Sequence, residues 1–89
     1  MLLRRGIHKF KAVEPDFFYA SVSSLFPTTV TVKRNGEEED VVYVSNGSTH
    51  TWWSNNHLFN PPLKRGEDVE IVIDGDGVFR LECGGLERG

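Results

Sequence analysis

The chain has 89 residues, a formal net charge of −3 at pH 7, 38% apolar and 26% charged side chains, and one cysteine. That length makes one domain, which buries somewhat more than ~60% of its unfolded surface: enough for one small core and no separate catalytic subdomain. The apolar content excludes a disordered chain, the lone cysteine excludes an internal disulfide and a Cys-rich zinc centre, and no apolar run approaches the ~20 residues of a membrane span.

Charge is unevenly placed. Residues 1–13 carry Arg4, Arg5, Lys9 and Lys11 with no acid, a local +4, whereas residues 14–89 carry six basic and thirteen acidic side chains, a local −7. The asymmetry suggests a basic N-terminal arm, or first strand, over residues 1–13 and a single β domain over 14–89. Such an arm reaches phosphate or the acidic surface of a neighbouring copy; otherwise its charges are solvated or tied to the protein's own body. Met1-Leu2-Leu3-Arg4-Arg5 has no apolar core, so no signal peptide is expected. The sequence names no compartment.

Ile7 to Val13 alternates weakly and is read as a first strand or extended arm, ended by Pro15. Phe17 to Phe26 fits two patterns. As a strand it directs Phe18, Ala20 and Val22 to one face; as a helix it stripes Phe18, Val22, Leu25 and Phe26. Its aromatic and serine content favours the strand. Thr28 to Arg34 is a strand with Val30 and Val32 on one face, and Asn35-Gly36 signals a two-residue hairpin that sets Arg34 against Glu37 and Lys33 against Glu38. The acidic run Glu37-Glu38-Glu39-Asp40 is then a solvated hairpin arm. Asn46-Gly47, which also opens a glycosylation sequon, turns the chain into a strand from Ser48 to Trp53. Ser54 to Gly66 is irregular, with Leu58, Phe59 and Leu63 expected to plug the open end of the core.

Val69 to Cys83 is the clearest pattern. Val69, Ile71 and Ile73 alternate with polar or outward residues, as do Phe79, Leu81 and Cys83, on either side of Asp74-Gly75-Asp76-Gly77. The pattern predicts a hairpin with a three-residue loop, since an even loop turns one apolar set away from the other. Taking Asp74 to Asp76 as the loop sets Ile71 against Phe79 and Glu70 against Arg80; taking Gly75 to Gly77 sets Ile73 against Phe79. Cys83 is expected to be a small buried apolar group. Residues 84–89 are expected to form a loose tail. About seven strands with turns every 8 to 12 positions predict an all-β fold, a small antiparallel β-sandwich or barrel with little or no helix. The Cys…Trp…Cys framework of immunoglobulin domains is absent.

Site chemistry is sparse. Laid on a calcium loop, Asp74 and Asp76 fall at ligand positions, but Val72 and Cys83 occupy two others, so a tight turn is the better account. His50 and His57 lack the third ligand of a zinc site. There is no nucleophile elbow, no glycine-rich phosphate loop ahead of a helix, and no pair of shielded carboxylates for acid–base work. No enzyme, cofactor or metal is expected.

His50-Thr51-Trp52-Trp53-Ser54-Asn55-Asn56-His57 is the exception. Adjacent strand residues point to opposite faces, so one of Trp52 and Trp53 lies outside the core. Either the loop 58–63 covers it, or it serves a subunit interface, or it is a sugar platform flanked by Asn55, Asn56 and His57. Base stacking is open to tryptophan too, but a −7 body opposes nucleic acid. The leading expectation is a non-enzymatic structural or interaction domain, acting as an oligomer or on a larger assembly such as a virion it decorates or cements. Its contacts would be the basic arm and the Trp52/Trp53 region, and its partner a protein. The alternative is a carbohydrate-binding module whose partner is a glycan.

Overall fold

A strand with alternating apolar and polar side chains is stable only when its apolar face meets a second apolar layer. In the computed structural model, which describes residues 1–89, nine strands meet that demand as two antiparallel sheets packed face to face. They are β1 (Leu2–Leu3), β2 (Gly6–Ala12), β3 (Phe18–Ser24), β4 (Thr28–Arg34), β5 (Glu37–Val44), β6 (Ser48–Trp52), β7 (Asp68–Asp74), β8 (Val78–Cys83) and β9 (Leu86–Arg88). One helical turn, α1 (Asn55–Leu58), lies between β6 and β7. One sheet has the order β1-β8-β3-β6 and the other β5-β4-β7-β2-β9. The expected antiparallel sandwich forms, with nine strands rather than about seven because each end of the chain adds one.

Pairing sets the winding. β4 pairs with β5, β3 with β6, β2 with β7 and β1 with β8. The chain is therefore one long hairpin folded back at Asn35-Gly36, where both residues have positive φ (51° and 85°). Lys33 faces Glu38 and Arg34 faces Glu37, as the Asn-Gly signal predicts. Between β3 and β4 the chain spends three residues, 25–27, and between β5 and β6 it spends another three, 45–47. The two legs thus turn the same corner together, from the five-stranded sheet into the four-stranded one. Rolling the hairpin up brings β8 beside β3 and β7 beside β4. This is the winding of a jelly roll. Every connection except Asn35-Gly36 crosses between the sheets.

The Val69–Cys83 stretch is consequently not a hairpin: β7 belongs to the five-stranded sheet and β8 to the four-stranded one. Its alternation holds, for Val69, Ile71, Ile73, Phe79 and Leu81 are all buried. A hairpin and an arch between sheets place alternate residues inward equally well, so the period cannot separate them. Partners separate them. Ile71 is flanked by Val32 and His8, and Phe79 by Leu3 and Val22. Glu70 lies between Lys33 and Lys9 instead of facing Arg80. The glycines of the arch serve close packing. At Gly75 (φ +133°) a Cβ would sit 2.7 Å from the Pro27 carbonyl oxygen and from Thr28 Oγ1, on the companion arch.

Both chain ends are built into the sheets. Residues 1–13 hold β1 and β2, not a free arm, and Leu3, Phe10 and Ala12 are buried. The alternation looked weak because the outward positions Ile7, Lys9 and Lys11 mix apolar and basic side chains. The expected loose tail instead forms β9, which pairs with β2, and the Val13 amide donates to the Gly85 carbonyl at 2.5 Å. A Cβ at Gly85 would overlap the Glu14 backbone.

The core joins both sheets and is closed at one end by Leu58, Phe59 and Leu63, as expected. Phe18, Ala20 and Val22 point into it, so the strand reading of residues 17–26 is the one that forms. Leu25 and Phe26, which the helical stripe would have buried, are exposed. Cys83 is half-buried against the core, and that burial pushes its thiol pKa up.

Removing residues 1–12 would expose one side of β7 and strip three core side chains. A chain beginning at Val13 is predicted to lose its cooperative thermal transition in circular dichroism; a sigmoidal melt at the full-length midpoint would contradict this.

Candidate interaction surface

Trp52 and Trp53 part as adjacent strand residues must. Trp52 is 1% exposed and Trp53 70%. The buried indole Nε1 donates to Asp40 Oδ2 at 2.9 Å, tying β6 to β5 across the gap between the sheets. The outer indole is not covered by residues 58–63: Leu58, Phe59 and Leu63 turn into the core, Pro61 and Pro62 are themselves exposed, and Trp53 stays open.

Because Ala20 is paired with Trp52, the next residues along, Tyr19 and Trp53, lie side by side on the outside. Their rings meet edge to face, 5.1 Å between centroids at 69°. Tyr19 is also opposite Glu82, and the Arg80 guanidinium lies 5.9 Å over the tyrosine ring. Arg80 Nη2 donates to Glu82 Oε1 at 2.7 Å, a bond that raises the arginine pKa. With Phe17, exposed at the strand's start, these groups line a shallow hollow of about 250 Å³. Of these residues the sequence singled out only Trp53, as one member of the Trp52/Trp53 pair of which one must lie outside. Tyr19, Phe17 and Arg80 join it through pairings of β3 with β6 and β8 that no local pattern signals.

The middle of this outer face is small and neutral, and Leu2 stands exposed on β1 beside Arg80. Ser21 and Thr51 flank each other, as do Ser23 and Thr49, and Leu25 and Phe26 stand exposed at the far end around a hollow of about 400 Å³. Arg80 and Glu82 are the charged pair on its strands and neutralise each other, and Asp76, which Arg5 reaches, borders the hollow of about 400 Å³. The outer face of the five-stranded sheet differs in carrying charge: Lys11 reaches Asp68 at 3.6 Å and Lys33 reaches Glu70 at 3.7 Å, a ladder of alternating sign that lies beside exposed Ile7, Val41 and Tyr43.

The structure divides the basic residues singled out from the sequence. Lys9 and Lys11 lie within that ladder, whereas Arg5 reaches Asp76 at 3.3 Å beside Arg4 at the β7–β8 arch. Arg5 and Lys11 thus pair with the protein's own acids on two parts of the molecule, and Lys9 lies opposite Glu70 in register. The Asn/His loop is divided too. Asn55 Nδ2 donates to the Pro15 and Leu63 carbonyls at 3.1 and 3.0 Å, and its Oδ1 accepts from the Leu63 amide at 2.9 Å, so this side chain fastens α1 to two loops. Asn56 Oδ1 accepts from Ser54 Oγ at 2.6 Å, and His57 Nδ1 accepts from the Trp53 amide at 3.2 Å.

A polar cluster that sequence did not single out sits near the hairpin tip. Arg34, with only 10% of its side chain exposed, makes a bidentate pair with Glu67 at 2.6 and 2.5 Å. It also donates to the Pro61 and Pro62 carbonyls and lies 5.9 Å over the Phe59 ring. The cluster anchors the loop that closes the core. Hydrogen bonding from Arg34 holds the Glu67 pKa down to about 2, with the Lys64 amide and Asn35 adding to it.

No family model, curated protein or solved structure matches this chain. No helix is long and apolar enough to cross a membrane.

Two outcomes are expected. A carboxylate with a depressed folded-state pKa contributes stability above its unfolded value and loses it as pH falls through the folded one. Glu67→Gln should therefore destabilise at neutral pH, and the deficit should close between about pH 4.5 and about pH 2 in urea titrations; a deficit constant over that range would contradict the ion pair. In dilute protein, acrylamide should quench Trp53 in Trp52→Phe readily and Trp52 in Trp53→Phe poorly; equal quenching would contradict the opposed faces.

Proposed function

We propose that this chain is a non-enzymatic interaction domain, working as an oligomer or on a larger assembly through the outer face of its four-stranded sheet. The observation that carries this reading is Trp53, an exposed indole braced by Tyr19 and bordered by Phe17 and Arg80. A large aromatic buries on the order of 150–250 Å², so at ~25 cal/mol per Å² a partner covering Trp53 gains several kcal/mol that the isolated chain forgoes. Trp, Tyr and Arg are also the side chains most enriched where binding energy concentrates. The neutrality of this face adds support, since apposed surfaces of a −3 chain repel least where charge is absent.

The jelly-roll winding serves virus shells and sugar-binding domains alike, so it does not choose between them. A protein that decorates or cements a viral particle is the assembly suggested by this analogy of architecture. The second reading is a carbohydrate-binding module that stacks a sugar on Trp53, with Arg80, Glu82 and His57 as hydrogen-bonding neighbours. It ranks lower because Asn55 is engaged within the fold. Nucleic acid is disfavoured by the acidic body and by the pairing of Arg5 and Lys11 with the chain's own carboxylates.

Sedimentation equilibrium across a concentration series, run beside a glycan array, tests the choice. The expected result is a mass above the 10.1 kDa of one chain, falling to that value in Trp53→Ala, which keeps a cooperative melt at the midpoint of the wild-type chain diluted to monomer. Monomeric protein that binds glycans through Trp53 would install the second reading instead.

A further inference from the structure

A sandwich has four sheet edges, and each leaves a row of backbone N–H and C=O groups without strand partners. Three of the four are blunted here. β1 is two residues long, and β9 is three and carries Glu87 and Arg88. β5 begins with three glutamates and is bulged where its register with β4 shifts after Val32. The fourth, β6, has none of these devices. Its five residues, Ser48-Thr49-His50-Thr51-Trp52, contain no acid, no lysine or arginine, no proline and no bulge. It borders the sheet whose outer face carries Trp53.

We propose that β6 pairs antiparallel with β6 of a second copy of this chain, joining two four-stranded sheets into one of eight. This names the partner for the surface described above and rests on that reading. The choice of a second copy follows from the strand's self-complementarity. A two-fold axis through His50 sets Thr49 of each copy against Thr51 of the other, and Ser48 against Trp52. Hydroxyl pairs meet at the seam and no like charges oppose each other, although each copy carries −3.

The same register extends past the strand ends. It brings Trp53 of one copy beside Gly47 of the other, both on the outer face. Leu25 stands at that spot: its Cδ2 lies 3.6 Å from where a Gly47 Cβ would be, and the residue is 71% exposed. The seam thus covers two exposed apolar side chains of each copy with those of its mate, Trp53 on Leu25 and Leu25 on Trp53. Gly47 leaves room for the indole, and its own backbone (φ +74°) suits glycine. Backbone pairing supplies affinity, and the Trp53–Leu25 contact fixes the register.

A charge swap at the seam tests this. Thr49→Lys/Thr51→Lys and Thr49→Glu/Thr51→Glu each place like charges directly opposite across the two-fold, whereas an equimolar mixture places opposite charges there. Sedimentation should show the wild-type chain reaching twice its 10.1 kDa mass, each double variant weakened ~10-fold or more, and the mixture restored. Amide exchange in wild-type protein adds a readout independent of any substitution: the amides of β6 should slow as concentration rises. If both double variants associate like the wild type while Trp53→Ala does not, the β6 seam is overturned and the aromatic-face reading stands. If the chain is monomeric at every concentration, or the β6 amides exchange at a rate independent of it, the seam is overturned as well.

Discussion

One constraint organises this molecule: its two halves pair with each other about Asn35-Gly36. Each of the first four strands takes a partner from beyond the Asn35-Gly36 turn, and the separation grows from two residues at the tip to more than seventy at β1 and β8. A hairpin of that length cannot stay flat, because a single sheet would leave its apolar face in water. Rolling it buries the face against itself. The corner is possible because both legs reach it after matched strands and cross it with matched three-residue arches. Non-local pairing of this kind stores little stability in any short segment, so both ends of the chain are needed to complete the sheets.

The corners and the open end are where polar groups must be reconciled with burial. At the β3–β4 arch, Ser24 Oγ donates to the Phe26 carbonyl at 2.7 Å and accepts from Thr28 Oγ1 at 3.1 Å, a local knot that satisfies two buried hydroxyls. Gly75 and Gly77 then let the neighbouring arch lie directly on Thr28. At the other end the Arg34–Glu67 pair holds the residues that plug the core, while Trp52 and Asp40 pin the two sheets together at their shared side. No buried side-chain nitrogen or oxygen lacks a partner, so the core is closed without the desolvation cost of an orphaned polar group.

With both apolar faces consumed in the core, what the protein offers a partner is decided by its two outer faces, which differ in chemistry. One carries ion pairs of lysine with carboxylate beside exposed Ile7, Val41 and Tyr43. The other is neutral, carries small hydroxyls through its middle, and ends in aromatic and aliphatic side chains with nothing over them. The functional reading rests on that contrast and on the unprotected strand beside it, not on the jelly roll as such.

The sequence by itself determined which residues face inward. The period of two is a property of the extended backbone, and it held for Phe18 to Val22, Val30 and Val32, and Val69 to Leu81. Both Asn-Gly turns were legible because few residues other than Asn and Gly tolerate a positive φ at low cost. That one tryptophan of the adjacent pair must lie outside was legible for the same backbone reason. Only the tertiary structure decided which strands are neighbours. Inward alternation is satisfied equally by a hairpin and by an arch between sheets, so the Val69–Cys83 stretch looked like the former and is the latter. The basic residues of the first strand and the Arg34–Glu67 pair belong to the same class, since a side chain's charge says nothing of which distant carboxylate the winding will bring to it. The Trp52/Trp53 pair could be found in the sequence, but that Trp53 is the outer one, and that Tyr19, Phe17, Arg80 and the bare edge of β6 surround it, is decided only when strands far apart in the chain are laid side by side.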